Sequence, residues 1–268
     1  MSHTGKRKKI VWQQCVGMAF GMLLGAVCGI GMVSYMESSG ADASPQQKLL
    51  SLAGLLLGMY AALLFHTIVH EAGHLVFGLL TGYEFSSFRV GSFMWLKEDG
   101  ALRVKRLSIA GTGGQCLMMP PDMQDGKIPV VLYNLGGSLL NILFGALFLA
   151  GCLLWNDIPF LSPLLFTFAA AGFILAMMNG IPMRMGTVDN DGYNAFALSK
   201  NKEAVEAFWV QLKVNGQFTR GIRLKDMPAE WFRVPTDEAM KNSMVAARGV
   251  AACNRLMDEK SLKKRMRL

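Results

Sequence analysis

The chain has 268 residues, 52% of them hydrophobic and only 17% charged, with a mean hydropathy of +0.31 and a formal net charge of +8. Few soluble domains of this size are so apolar, and the balance points to a membrane protein. There is no RNA-binding motif, so the positive charge is assigned to topology and anionic lipid, with no nucleic-acid partner.

Four apolar stretches are long enough to cross a bilayer, which takes roughly 20 helical residues. The first predicted helix covers about 11–34 and follows the basic run "KRKK". Its apolar core is long and lacks a clean small-residue cleavage site, so it reads as a retained helix, not a signal peptide. Gly17, Gly21, Gly25 and Gly29 fall four apart and predict a smooth packing ridge. The second helix is predicted over 49–80, the third over 129–155 and the fourth over 160–182, with only "NDIP" between the last two. If both termini are cytoplasmic, Lys48 is the one Lys or Arg left outside, a strong positive-inside signal. The expectation is a multi-pass protein of the cell membrane with cytoplasmic termini, in contact with the lipid bilayer.

Between the second and third helices, residues 83–128 form a predicted cytoplasmic loop. "EFSSFRVGSFMWL", the turn "KEDG" and "ALRVKRLSI" read as a β-hairpin. "GTGGQCLMMPPD" reads as irregular because of its Gly and Pro, and it lacks the GK[ST] of a phosphate loop. Beyond the fourth helix, 199–214 shows helical spacing, and 236–258 begins with Thr236 and acidic residues as a helix start would. The fold class is thus an all-α polytopic membrane protein: about four transmembrane helices, a small cytoplasmic β-hairpin and a helical cytoplasmic tail. The divisions are a basic N-terminus (1–9), a transmembrane domain (10–195) and the tail (196–268). Five cysteines (15, 28, 116, 152 and 253) show no CxxC pair and read as packing residues.

One stretch at the end of the second helix carries chemistry. "FHTIVHEAGHLVFG" holds three of the four histidines and contains His70-Glu71-Ala72-Gly73-His74, an HExxH pattern. Positions four apart on a helix differ by about 40° in direction, so both imidazoles share one side and can bind zinc. Glu71 is placed to accept a proton from water. A chain with this composition yields about 0.002 such patterns by chance, and ionisable groups at membrane depth are costly enough to imply function. A hydrolytic zinc site takes three protein ligands and keeps one open position. Asp157 is predicted on the opposite membrane face, and Glu84, Glu98 and Asp99 lie in exposed or turn-like settings. That leaves Asp189 or Asp191, after Pro182 closes the fourth helix. His66, one turn before His70, reads as a supporting or packing histidine.

HExxH at the end of one transmembrane helix, followed by Asn179-Gly180-Ile181-Pro182 and then Asp191-Gly192, resembles the site-2 protease family of intramembrane zinc metalloproteases. "GGSLLN", Gly136 to Asn141, is similar to that family's small-residue-then-Asn motif. The resemblance covers roughly 60–195. It implies Asp191 as third ligand, Glu71 as general base, and Asn141 and Asn179 as substrate-binding residues. The eight residues "MRMGTVDN" between Pro182 and Asp191 depart from the family's more compact motif and keep Asp189 in view. The implied activity is a zinc endopeptidase cutting a membrane-embedded or membrane-associated protein or peptide near the cytoplasmic face. An extended substrate would pair with a strand edge of the predicted hairpin. The alternative is a non-catalytic, metal-binding membrane protein that recognises a peptide as a scaffold or immunity-type factor, where Glu71 has no role. A homo-oligomer is compatible with either reading.

Overall fold

The computed structural model describes residues 19–265, except 20, 21, 24, 28, 32, 39, 41, 99, 100, 109–112, 186, 187 and 199. The chain divides into two compact units: residues 1–70 with 137–190, and residues 71–136 with 191–268. Helix α1 (Pro45–Leu80) runs unbroken through the first boundary.

In the first unit, the described residues from 22 to 37 are helical. The start of the first predicted span, with Gly17 and Gly21, lies outside the described residues. At Gly25 and Gly29 an added Cβ would meet nothing within 4 Å, so among the described residues the expected packing ridge has no neighbour there. This unit also holds the first part of α1, most of α2 (Val130–Leu154) and α3 (Leu161–Gly180). These three helices are long and apolar enough to cross a membrane. They match the second, third and fourth predicted spans to within a few residues. Lipid removes the hydrophobic drive for helices to associate, so close packing must supply it. Phe65 provides much of it, with the Phe144, Phe148 and Phe168 rings at 5.6, 5.4 and 5.8 Å. Each such aromatic pair contributes about 0.5–1.5 kcal/mol beyond its buried area. Small residues bring the backbones together: a Cβ on Gly58 would lie 2.8 Å from Leu164. After α3 a short hairpin pairs β5 (Arg184–Met185) with β6 (Val188–Asp189).

In the second unit, the loop after α1 forms four strands: β1 (Glu84–Val90), β2 (Phe93–Glu98), β3 (Ala101–Arg106) and β4 (Gly114–Met119). All pairings are antiparallel, in the order β3-β2-β1-β4. The sheet corrects the expectation of a lone hairpin, because the stretch read as irregular supplies β4. Its glycines do not break the strand, since Gly114 sits at its first position and the prolines only follow it. Arg89, 1% exposed, ties β1 to its surroundings by donating to the Gly91 and Gly114 carbonyls (2.7 and 3.2 Å). Met118, Tyr133, Phe208, Leu212 and Val245 belong to one buried core built from the sheet, the start of α2 and the tail.

The tail is helical, as expected. Helix α4 (Lys202–Thr219) starts where Asn201 accepts from the Ala204 amide (3.1 Å), satisfying an otherwise orphaned donor. Helix α5 (Ser243–Arg265) begins later than Thr236. Thr236 caps only a single 3-10 turn, and Asn242 accepts from Met244 and Val245 to start the real helix. Cys116, Cys152 and Cys253 are free thiols.

Candidate metal centre

His70 and His74 occupy successive turns of α1, and the boundary between the two units falls between His70 and Glu71. Because the helix is continuous there, His70 is carried with the turn that bears Glu71 and His74. All three are buried, at 8%, 7% and 7% exposure, in a part of the chain that reads as membrane-spanning. A ligand atom from each of His70, His74 and Asp191 lies within 4.8 Å of the others, so the group could hold a metal ion.

The orientation of His74 is set by the backbone. Its Nδ1 lies 2.8 Å from the Tyr133 carbonyl, which can only accept, so Nδ1 carries the proton. Nε2 then presents a lone pair, and it faces Asp191 Oδ2 at 3.3 Å. A lone pair and a carboxylate oxygen repel at that distance unless a proton or a metal cation lies between them. The Nδ1–H to carbonyl bond is the usual way a metal-binding imidazole is held by its surroundings. The donor set therefore fits a metal.

Asp191 arrives through the chain that leaves α3. Asn190 accepts from the Met183 amide (2.9 Å) and donates to the Met178 and Ile181 carbonyls (2.8 and 2.7 Å). This fixes the loop to the end of its helix one residue before Asp191. The sequence offered no signal for Asn190 beyond its place beside an aspartate. Asp189, the other candidate, is not in the group that could hold the ion; its backbone lies opposite Arg184 in the β5–β6 ladder.

Glu71 is covered by β4. A Cβ built on Gly114 would lie 2.7 Å from both Cγ and Oε1 of Glu71, so only a glycine leaves that carboxylate in place. Cys116 on the same strand is buried, and that burial, and secondarily the Glu71 carboxylate, push its thiol pKa up. Gly137 does for His70 what Gly114 does for Glu71, since its Cβ would fall 2.5 Å from ring atoms Cε1 and Nδ1.

The two asparagines differ. Asn141, with no exposed surface, lies between His66 Nδ1 (3.1 Å) and His70 Nδ1 (3.4 Å). Asn179 donates to the Leu175 carbonyl one turn back on α3 (2.9 Å). His66 is completely buried and is not part of the group that could hold the ion.

Compared with known proteins, the chain matches no family model, no curated protein and no solved structure. The class defined so far is a helical membrane protein with a candidate metal centre.

Proposed function

We propose that the chain is an intramembrane zinc endopeptidase acting on a membrane-embedded or membrane-associated protein or peptide. The observation that carries this reading is the facing pair of His74 Nε2 and Asp191 Oδ2, beside His70 and with Glu71 next in the helix. Two imidazoles, one carboxylate and one open position form a ligand set typical of hydrolytic zinc. Zinc bound there would supply Lewis acidity towards a peptide carbonyl and towards water. Glu71 is the proton carrier: its carboxylate takes the proton from water and delivers it to the leaving nitrogen. Burial of Glu71 between α1 and β4 limits competing solvent around that carboxylate.

A helical substrate hides its carbonyls in its own hydrogen bonds and must be extended before cleavage. Pairing with a strand edge does this. The sheet has two edges, β3 and β4. The sequence directs attention to Val104–Ile109 around β3, but β4 packs Gly114 against Glu71 and is the better edge for a substrate. The cleaved bond would lie near the cytoplasmic face if the termini are cytoplasmic, as the basic residues imply.

The experiment is zinc content and cleavage of a reporter substrate by purified wild type and Glu71→Gln. The variant should keep about one zinc per chain and lose hydrolysis. Hydrolysis at the wild-type rate would end the mechanism. Metal binding with no hydrolysis of any membrane peptide by the wild type would favour the non-catalytic, peptide-recognising reading.

A further inference from the structure

We propose that Asn141 and His66 are positioning residues for the metal ligand His70, with His66 acting through the Asn141 amide. This rests on the metal-centre reading of His70, His74 and Asp191.

The three residues form a short hydrogen-bond chain inside the first unit. Asn141 Oδ1 lies 3.1 Å from His66 Nδ1, and Asn141 Nδ2 lies 3.4 Å from His70 Nδ1. The two histidines are one turn apart on α1, and the amide projects from α2 between them. Asn141 and His66 have no exposed surface, so neither can exchange these partners for water. The His66 ring is confined. A Cβ on Gly172 would fall 2.5 Å from its Cε1, and the Phe65 and Phe148 rings stand 5.2 and 5.9 Å away.

An amide has one donating end and one accepting end. Asn141 engages Nδ1 of His70, so a metal would be held through Nε2. A ring that ligates through Nε2 must be neutral, with its proton on Nδ1, and needs an acceptor there. The arrangement in the structure offers Nδ2 instead, which suits a ring protonated on Nε2 and unable to ligate through it. A half-turn of the amide fits the same space, since its oxygen and nitrogen are nearly the same size. It points Oδ1 at His70 and Nδ2 at His66 Nδ1.

That second arrangement requires His66 to accept at Nδ1 and carry its proton on Nε2. Nε2 is buried and has no hydrogen-bond partner among the described residues. The chain thus has two self-consistent settings, one closed to the metal and one open. His66 serves either setting, and without its Nδ1 the open one would leave the Asn141 Nδ2 donor buried and unpaired, the costlier kind of orphan.

The test uses the full chain, purified in detergent or nanodiscs, with zinc affinity read by chelator competition and ligand geometry by the Co2+ absorption spectrum. Asn141→Leu should weaken zinc binding about 10–100-fold and alter the Co2+ spectrum, the usual cost of losing a group that orients a ligand. Asn141→Ser, too short to reach His70, carries the same expectation and serves if the leucine variant does not fold. Asn141→Asp should restore affinity to within about twofold, the scatter expected of independent changes. Both carboxylate oxygens accept, so that side chain has no wrong end. For the same reason His66→Leu should weaken binding in the wild type and leave the Asn141→Asp background almost unchanged. Wild-type affinity and spectrum in Asn141→Leu overturn the proposal. An equal loss from His66→Leu in both backgrounds also overturns it, because His66 would then act by packing alone. A wild-type chain that binds no zinc overturns the metal-centre reading itself, a result distinct from either of these.

Discussion

Gly137→Ala isolates the metal centre from the fold. An alanine Cβ there would stand 2.5 Å from His70 Cε1 and Nδ1 and 2.7 Å from Nε2, whereas ordinary contact begins at 3.4 Å. The ring must therefore give way by about 0.9 Å, against a metal–ligand tolerance of about 0.2 Å. We expect zinc affinity to fall about 100-fold, the upper end of what disturbed ligand support costs. That corresponds to about 2.8 kcal/mol at 1.4 kcal/mol per decade. Alanine also favours the helix by about 1 kcal/mol over glycine, so the metal-free form should unfold at a similar or slightly higher temperature. The measurements are chelator competition for zinc and thermal unfolding of the metal-free protein. Adding Gly137→Ala to a His70→Ala chain should have almost no further effect on zinc binding, because the ring it displaces is gone. Wild-type zinc affinity in the single variant would refute the reasoning, and so would full additivity in the double variant.

Gly136→Ala, one residue earlier, should behave oppositely. Its Cβ would stand 2.5 Å from the Gly73 carbonyl oxygen, which is backbone and cannot rotate away. The metal-free form should lose about 1–3 kcal/mol, as overpacked contacts do, read from denaturant unfolding in detergent. Asp191→Asn should strip the zinc, while Asp189→Asn should leave it in place, because Asp191 belongs to the group that could hold the ion. Metal analysis of the two purified variants decides this. The Arg223 side chain, and the Lys225 amide after it, hold the Asp258 carboxyl below its ordinary value of 3.8. A carboxylate with a lowered folded pKa stabilises above its unfolded pKa and loses that contribution as pH falls through the folded value. Wild type should therefore lose stability below about pH 4 relative to Asp258→Asn, which an acid titration by circular dichroism would show.

Much of the architecture was legible because lipid imposes simple demands. The second, third and fourth predicted spans emerge as α1, α2 and α3 within a few residues, since a spanning helix must be long and continuously apolar. The HExxH turn was legible for a related reason: His70, Glu71 and His74 are conspicuous where charge is expensive. What could not be read was set by tertiary contact. Strand β4 hides in a Gly-rich stretch because its place depends on pairing with β1, not on its own propensity. The start of α5 at Ser243 was masked by the acidic residues after Thr236, which resemble a cap but serve one 3-10 turn. Asp189 and Asp191 could not be separated by spacing alone. The difference comes from Asn190, whose three bonds to the end of α3 lie outside any local pattern.

Three glycines explain how bulky, polar side chains are accommodated in a tightly packed setting. Gly136 lets α2 approach the Gly73 backbone, Gly137 leaves room for the His70 ring, and Gly114 leaves room for the Glu71 carboxylate. Each contact would be closer than 3.0 Å with any side chain, so none of the three tolerates even a methyl group without movement of its neighbour. Glycine inside a helix or strand is unfavourable by about 0.5–1 kcal/mol relative to alanine. Three such positions cost about 1.5–3 kcal/mol, a substantial share of a net stability of about 5–15 kcal/mol. A site that served only to fold the chain would gain by replacing Glu71 and the histidines with apolar residues and Gly114 and Gly137, which face them, with alanine. Two of the three glycines, Gly114 and Gly137, thus give up stability where Glu71 and His70 need room, beside the group that could hold a metal ion.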